Sequence, residues 1–299
     1  MNGTTTRDCR VVRRSAIQRP DDLTFSPRKE SWVASSHGWF YKIFRASDEP
    51  TRDWLDPACS VRAGHEYADM LFLRGISRNV CRPVRLDHAC IVYPHLSGPD
   101  LRVLLKARPS AAADRRAALR AAITVLAHLH AATARSAGYP AKDYRRNMYV
   151  QPSPSIASRI AAQQRVLFIG GFEVRNFRFD RGCGEWFFFD PQHMYMGVPE
   201  DDVARFVISL LMINWGRGGA LKIWTAFSLD DLLSTYEAAS GHTIDVRLLA
   251  CFLCDTVAMR RFFAMKALCT MRGANRVVGR VYLAAYFRQL EQWVTKHEL

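Results

Sequence analysis

The chain has 299 residues, of which 49% are apolar and 23% charged, so it can bury a core without disulfides or metals. Forty-two Lys and Arg against 28 Asp and Glu give a formal charge of +14, which favours an anionic partner such as a nucleotide or an acidic membrane surface. No apolar run approaches the roughly 18 residues of a membrane-spanning helix, and the N-terminus lacks a secretory signal, so we expect a cytoplasmic protein. No aromatic-basic pattern or recognition-helix signature is present, so no specific nucleic acid partner is expected.

The first hundred residues mix short strand-like runs with one helix candidate. The strand candidates are SWVAS, WFYKIF and CIVYPHL, and the helix candidate is HEYADMLFLRGIS. Lys42 is the lone cation in WFYKIF, so its stem should be buried and its ammonium held in place. Glu66 follows 24 residues later in the helix candidate, where it could pair with Lys42. The alternatives are a lysine that snorkels to solvent and an ordinary exposed helical acid.

From residue 110 onward the pattern is mainly helical. A serine-capped segment with apolar residues at three- and four-residue spacing is followed by a proline-containing connector and by RVLFI, a candidate buried strand. PEDDVARFVISLLMIN begins with proline and three acids, which suit a helix N-terminus. Further helices are expected near 228–239, 245–271 and 276–296. The order predicts an α+β protein with a small mixed lobe over residues 1–96 and a mainly helical lobe over 97–299.

Residues 170–190, GGFEVRNFRFDRGCGEWFFFD, predict a β-hairpin in the second lobe. Its apolar runs FRF and WFFF are separated by a turn that contains two glycines. Asn176 precedes the first run and Asp190 follows the second. Because positions fourteen apart can return to the same end of a hairpin ladder, an amide oxygen and a carboxylate could face one metal ion.

Cysteines and basic residues carry weaker signals. The eight cysteines are scattered, which favours free thiols. Cys251 and Cys254 have the spacing of half a zinc site, but no second pair follows, and we interpret them as core cysteines. Basic residues are concentrated at RDCRVVRR, DRRAALR and AMRRFFAMK, for which a solvated surface is the simplest interpretation.

The order of the chemical features resembles the aminoglycoside phosphotransferase and choline kinase-like branch of the protein-kinase fold, over roughly residues 25 to 215. The features are Lys42, Glu66, the hinge-like IVYPHLSGPDLRVLL, the helix ending HLHAAT, the loop with Asn176 and the strand end WFFFD. The resemblance implies a bilobal kinase-like fold with ATP and Mg²⁺ as cofactors. By that resemblance, Lys42 and Glu66 bind the nucleotide, and Asn176 and Asp190 are metal ligands and catalytic residues. Asp202, in MGVPEDDVARF, would brace the catalytic loop.

The sequence departs from that family in two places. The family's loop is H-G-D-x-x-x-x-N, but counting back from Asn176 puts Ile169, Gly170 and Gly171 at the places of H, G and D, so the usual base is absent. A glycine-rich phosphate loop is also missing from FSPRKESWVASSHGWF.

Two other acids are candidate replacements for the missing base. Glu173 lies three residues before Asn176 and could reach the accepting atom as a catalytic group. Alternatively it pairs with Arg175 or Arg178 and merely orders the loop. Asp143 and Asn147 imitate a catalytic loop as well, but we favour a surface segment there.

The sequence therefore predicts an ATP-dependent phosphotransferase acting on a hydroxyl of a small molecule, namely a sugar, an amino alcohol or a natural-product intermediate. Its partners would be the nucleotide and the small-molecule acceptor, with an anionic membrane surface as a further option. One alternative is a catalytically degenerate pseudokinase that binds a nucleotide or a partner and transfers nothing. Another is a lipopolysaccharide-type kinase, which the basic charge suggests.

Overall fold

The computed structural model describes residues 17–106, 112–134, 138–214, 228–270 and 273–296. The chain divides into two compact units. Unit 1 consists of Met1–Asp100 with Asn176–Pro191, and unit 2 of Leu101–Arg175 with Gln192–Leu299. The predicted α+β class is confirmed. Within the described ranges, no helix combines the length and the hydropathy needed to cross a bilayer.

Strands occur in both units. In chain order they are β1 Ser26–Pro27, β2 Ser31–Ser36, β3 Trp39–Phe44, β4 Arg85–Asp87, β5 Cys90–Pro94, β6 Val166–Phe168, β7 Phe177–Asp180, β8 Glu185–Phe188 and β9 Tyr195–Gly197. The first five form one antiparallel sheet in the order β1-β2-β3-β5-β4. His37 and Gly38, with φ of 48° and 83°, make the two-residue turn between β2 and β3, as a type I′ hairpin requires. The β6–β9 pair belongs to unit 2.

Helices dominate unit 2. In chain order, within the described ranges of both units, they are α1 Pro50–Leu55, α2 Pro57–Ile76, α3 Leu101–Lys106, α4 Ala112–Thr133, α5 Tyr144–Asn147, α6 Pro154–Ala162, α7 Pro199–Leu211, α8 Leu229–Ser240, α9 Val246–Cys269 and α10 Ala274–Lys296. The last three begin and end within two residues of their predicted bounds. The short helices α5 and α6 fall in the predicted connector, where Asp143 and Ser153 act as N-caps.

Helix α2 carries Glu66 on its buried face. It begins at Pro57, eight residues before the predicted segment, because Asp56 caps it by accepting a hydrogen bond from the backbone N–H of Cys59. Its buried residues recur every three or four positions, as expected for one helix face: Cys59, Ala63, Glu66, Met70 and Leu73. Since α2 packs on β3, this periodicity places Glu66 toward the strand that holds Lys42.

The hairpin of β7 and β8 is part of unit 1, whereas the sequence-based prediction assigned it to the helical lobe. The backbone N–H of Phe188 donates to the Asn79 carbonyl (2.8 Å), and Cys81 N–H donates to the Phe188 carbonyl (2.8 Å). On the other strand, Gly98 N–H donates to the Phe179 carbonyl (2.9 Å). These non-local backbone hydrogen bonds explain why residues 176–191 belong to unit 1 with the five-stranded sheet.

Cys251 and Cys254 lie on α9 and were interpreted from the sequence as core residues. Cys251 is half-buried and Cys254 is exposed, so that interpretation is wrong for Cys254. The apolar letters around them belong to a helix whose buried stripe includes Leu248, Leu249 and Phe252 instead.

Asp53 organises the chain just after β3. Its buried carboxylate accepts hydrogen bonds from Trp32 Nε1 (2.8 Å), Ala46 N–H (3.1 Å) and Ser47 N–H (2.8 Å). Burial alone raises the pKa of this carboxyl, but the hydrogen bonds outweigh it and hold the pKa below its ordinary value. The ionised form is therefore the one that stabilises the fold.

The variant D53N should lower the free energy of unfolding by about 1–3 kcal/mol at neutral pH, because the amide cannot satisfy all three donors. A lowered folded-state pKa means that the stabilisation by Asp53 is present above the unfolded-state pKa and lost as the pH falls through the folded value. Urea unfolding at neutral pH and at about pH 3 should therefore give a wild type–variant difference that shrinks on acidification. A difference that does not change with pH would contradict this role.

Candidate active site

Lys42 is the centre of the candidate site in unit 1. Its Nζ donates to Glu66 Oε2 at 2.5 Å and also contacts the Asp190 carboxylate. Lys42 and Glu66 are both buried, so a snorkelling lysine and an exposed helical acid are excluded. Burial by itself lowers the pKa of the Lys42 ammonium, but the two carboxylates outweigh burial and raise it above its ordinary value.

Glu66 is held from two sides. Lys42 contacts one of its carboxylate oxygens, and the Tyr93 hydroxyl donates to the other at 2.7 Å. Burial is the largest influence on Glu66 and raises its pKa, and the negative charge of Asp190 adds to that effect. Tyr93 was not predicted from the sequence as a site residue. The β3–β5 register pairs Phe40 with Tyr93, which places Tyr93 on the same sheet face as Lys42, and strand alternation was the signal that could have found it.

Asn176 and Asp190 meet at the open end of the hairpin. The Phe177–Phe188 pair is the last of the β7–β8 ladder at that end. Beyond it, Phe189 N–H donates to the Asn176 carbonyl (3.0 Å), and Asn176 Nδ2 donates to the Asp190 carbonyl (3.4 Å). Residues fourteen apart in sequence are thus neighbours, in agreement with the predicted hairpin geometry.

Asp190 has an unusual backbone conformation. Its φ of 65° lies in the left-handed region, which non-glycine residues seldom adopt and which Asp and Asn tolerate best. Residues held in such conformations are found preferentially at functional sites. The conformation occurs at the same residue whose carboxylate contacts Lys42.

Lys42, Glu66 and Asp190 form a charged cluster in which one ammonium is shared by two carboxylates, so its charges do not balance. A divalent cation would offset the surplus negative charge. The Asp190 carboxylate and the Asn176 amide are hard oxygen donors of the kind that Mg²⁺ prefers, so these residues fit such an ion. Among the residues that the structure describes, no group of three or more His, Cys, Asp and Glu side chains could hold a metal.

A cavity of about 150 Å³ lies beside the cluster, and all of its lining belongs to unit 1. A few polar groups converge at a partly apolar wall, which is typical of small-molecule sites. The lining residues are Ser31, Val33, Phe40, Lys42, Glu66, Cys81, Tyr93, Pro94, His95, Leu96, Arg178, Phe189 and Asp190. His95 and Arg178 were not anticipated as lining residues. Burial lowers the pKa of the His95 imidazole, and the Arg178 charge lowers it further, against a smaller opposing influence of Asp180.

The strand register orders this cavity from one end to the other. Phe40 pairs with Tyr93 next to residues 94–96, Lys42 pairs with Val33, and Phe44 pairs with Ser31 at the far end. At that far end the Arg62 guanidinium lies 4.5 Å from the centre of the Phe44 ring, and Lys42 Nζ lies 4.8 Å from it. Arg62 is therefore a second cation near Lys42 that sequence reasoning missed. The nearby turn between β1 and β2 contains Arg28, Lys29 and Glu30 and no glycine.

In unit 2, Asp202 braces residues 169–171, which stand where the family that this sequence resembles has H-G-D. Its buried carboxylate accepts hydrogen bonds from Ile169 N–H (2.6 Å) and Gly170 N–H (3.4 Å) and lies 3.3 Å from His130 Nε2. Gly170 has a φ of 74°, and a Cβ there would overlap the Gln192 carbonyl oxygen. The backbone thus requires glycine at residue 170. The contacts of Asp202 agree with the bracing role that the resemblance implied.

The variant D202A should lower the free energy of unfolding by about 1–3 kcal/mol, because it leaves buried backbone donors without an acceptor. The exposed Asp230, in the first turn of α8, gives a matched Asp-to-Ala control, for which at most about 1 kcal/mol is expected. Chemical unfolding of both variants measures the difference. Equal destabilisation by D202A and D230A would exclude the bracing role.

Glu173, a candidate replacement base, is held by two arginines of unit 2. Its carboxylate lies 2.9 Å from Arg175 Nε and also binds Arg260. Arg178, the other partner considered from the sequence, instead donates from Nε to the Gly98 carbonyl at 2.9 Å. These contacts support the loop-ordering interpretation, and a role of Glu173 as a base stays a prediction.

Asp143 and Asn147 owe their motif-like spacing to a local helix. The Asp143 side chain caps α5 by accepting from Arg145 N–H (3.0 Å), and Asn147 Nδ2 donates to the Asp143 carbonyl (2.9 Å). Both residues are exposed. This agrees with the surface segment that we favoured.

The chain was compared with known proteins by sequence and by structure. No protein-family model and no curated protein sequence matches it. Among solved structures, a candidate aminoglycoside phosphotransferase from Ralstonia eutropha superposes with a TM-score of 0.60 at 15% identity, covering 92% of this chain and 93% of that one. The chain has the kinase-like fold. A choline/ethanolamine kinase family protein from Mesorhizobium loti gives a TM-score of 0.55 at 13% identity, with 90% and 87% covered.

A third kinase-fold neighbour was solved with ligands bound. It is the amicoumacin kinase hAmiN, in complex with AMP-PNP, Ca²⁺ and Ami, with a TM-score of 0.54, 15% identity, and 92% and 89% of the two chains covered. The predicted resemblance to the aminoglycoside phosphotransferase and choline kinase-like branch is thereby confirmed for the fold. The kinase-like fold extends over about nine-tenths of the chain, beyond the predicted residues 25 to 215.

Proposed function

We propose that this protein is a phosphotransferase that uses ATP and Mg²⁺ to phosphorylate a hydroxyl of a small molecule. The observation that carries the proposal is the sharing of Lys42 between Glu66 of α2 and Asp190 at the end of the hairpin, beside a cavity. Phosphoryl transfer needs cations around the phosphates and a held metal more than it needs covalent participation by the protein. Lys42 would supply a cation, and the Asp190 carboxylate and Asn176 amide would supply oxygen ligands for the metal.

Each residue of the cluster has a separate task in this proposal. Lys42 binds phosphate oxygens of the nucleotide, and Glu66 and Tyr93 hold its ammonium in position. Asn176 and Asp190 hold the metal, which when bound neutralises charge on the transferring phosphoryl group. The register agrees with this order, because Lys42 lies two residues along β3 from Phe40, farther from residues 94–96.

The missing base does not exclude transfer. The transition state of phosphoryl transfer is loose and demands little deprotonation of the acceptor in advance. A general base typically contributes about 10²–10⁴-fold, so a slow enzyme is consistent with Gly171 at the usual place of the acid. Glu173 as the replacement base, and a cytoplasmic location, are further parts of the proposal.

The proposed acceptor class follows from the neighbours. Their names refer to aminoglycosides, choline or ethanolamine, and amicoumacin. We infer a sugar, an amino alcohol or a natural-product intermediate as the acceptor of this protein. The AMP-PNP and Ca²⁺ bound to the amicoumacin kinase support a nucleotide with a divalent cation here.

A pseudokinase is the second candidate, and the pairing of Glu173 with two arginines favours it. Such a protein would bind nucleotide in the same cavity and transfer nothing. The absence of both the acid at residue 171 and a glycine in the turn over residues 28–30 points the same way.

Two measurements on the purified chain separate these candidates. Thermal unfolding with ATP, with and without Mg²⁺, should show stabilisation that needs both, since a ligand of the native state raises its stability by about 2.7 kcal/mol at a hundredfold excess over Kd. Phosphate transfer from γ-labelled ATP to a panel of aminoglycosides, amino alcohols and macrolides should then yield a labelled product. Stabilisation without any product would favour the pseudokinase, and no stabilisation would contradict both candidates.

A further inference from the structure

The segment between Asp255 and Glu291 contains no acidic residue. It covers most of α9 and about the first three-quarters of α10, and it includes the basic run AMRRFFAMK. Its seven cations are Arg260, Arg261, Lys266, Arg272, Arg276, Arg280 and Arg288. Half of the chain's formal charge of +14 is therefore concentrated in about an eighth of its length.

The first half of α10 exposes an apolar face. Val277, Val278 and Val281 are 64%, 67% and 68% exposed, and Tyr282 is 38% exposed. They are spaced as i, i+4 pairs, so they share one side of the helix. The opposite side is also apolar, because Leu283, Tyr286, Phe287 and Leu290 are buried in the core. A surface helix normally presents polar residues to solvent, so an apolar face opposite the core-facing face requires another explanation.

A second exposed apolar group lies in the same acid-free segment on α9. Phe262 and Phe263 are 53% and 48% exposed, and the ring of Tyr149 lies 5.6 Å and 6.3 Å from theirs. Of the neighbouring cations, Arg260 binds Glu173, and Arg261 binds Glu291 at 2.8 Å. Those two arginines serve the fold, whereas Arg280 and Arg288 are exposed, and Arg288 lies two turns after Val281 on the same side of α10.

We propose that the face of α10 formed by Val277, Val278, Val281 and Tyr282, with the exposed Arg280 and Arg288, docks on an anionic lipid bilayer. Apolar side chains enter the boundary between headgroups and acyl chains, and the arginines bind headgroup phosphates. Charge selects this occupant, because a second copy of the same face would bring like charges together at the contact. The inference does not depend on the proposed phosphotransfer.

Co-sedimentation of the full chain with vesicles tests the proposal. The protein should bind vesicles of phosphatidylcholine mixed with phosphatidylglycerol, and binding should weaken as salt rises and be absent with phosphatidylcholine alone. The double variant Val278→Asp with Val281→Asp should bind the anionic vesicles at least about tenfold more weakly than the wild type does. Val61→Asp on α2, at a valine that is 59% exposed, is the matched control and should bind as the wild type does.

Three results would overturn the proposal. The first is no preference of the wild type for anionic vesicles. The second is undiminished binding by the double variant, which would assign the attraction to general surface charge. The third is a wild-type dimer in sedimentation equilibrium that the double variant dissociates, because the face would then be covered by a second copy. Circular dichroism and the Tm of the variants control for folding, and Val278→Ser with Val281→Ser gives a milder pair if the aspartates unfold the helix.

Discussion

Asp190→Asn should lower ATP turnover by about a thousandfold or more while leaving the protein folded. In the proposed function, the Asp190 carboxylate holds the metal, and an amide at this place carries no charge to offset it. In the variant Lys42 still pairs with Glu66, so the cluster carries one positive and one negative charge in place of one positive and two negative charges. The free energy of unfolding should therefore stay the same or rise.

The combination of lost turnover and retained stability distinguishes a metal ligand from a structural acid. Steady-state turnover at saturating ATP and Mg²⁺, with urea unfolding of the same preparation, measures both. Asp48→Asn is the matched control, because its carboxylate is 92% exposed and its pairing with Arg45 contributes little. If D190N kept activity within about tenfold of the wild type, Asp190 would not be a metal ligand.

Lys42→Met should abolish detectable nucleotide-dependent stabilisation and lower turnover by about a hundredfold or more. Methionine retains the apolar stem and removes the ammonium that Glu66 and Asp190 share. Breaking a buried ion pair on one side typically costs about 3–5 kcal/mol, because the remaining charges are left uncompensated. Lys42→Arg should fail to restore activity, since a planar guanidinium does not replace a compact ammonium in a closed site.

The stability of K42M should also depend on pH with a known sign. Burial already raises the pKa of Glu66, and the loss of Lys42 removes the main influence that lowers it. A carboxyl with a raised folded-state pKa stabilises the fold at pH values below its unfolded-state pKa, and this contribution is lost as the pH rises through the folded value. The deficit of K42M against the wild type should therefore grow from about pH 5 to about pH 8.

A double variant separates charge balance from catalysis. Lys42→Met combined with Glu66→Gln removes one of the two uncompensated carboxylates, so it should recover part of the lost stability and none of the lost turnover. Urea unfolding at two pH values and an ATP turnover assay provide both readouts. Recovery of turnover in the double variant, or a deficit of K42M that is independent of pH, would contradict the arrangement derived for this cluster.

Local patterns were sufficient for much of this protein. The hairpin of β7 and β8, the strand that carries Lys42, and the helix that carries Glu66 follow from residue periodicity and turn composition, which depend on neighbours in sequence. The three last helices were placed within two residues for the same reason. The family resemblance, built on the same residues, led to the kinase-like fold.

Other features depend on partners distant in the chain. Lys42 meets Asp190 across 148 positions, Arg260 reaches Glu173 across 87, and Tyr93 meets Glu66 across 27. Which partner a charged side chain chooses depends on strand register and helix packing, and neither is encoded in local spacing.

The identities of the chemical groups, and the local elements that carry them, were determined by the sequence itself, because propensity and periodicity act over a few residues. Tertiary structure alone decided that Lys42 contacts two carboxylates, that Glu173 binds Arg260 as well as Arg175, and that the hairpin belongs to unit 1. The physical reason is that burial and charge pairing are set by what packs against a side chain. For this chain those neighbours come from other strands and helices.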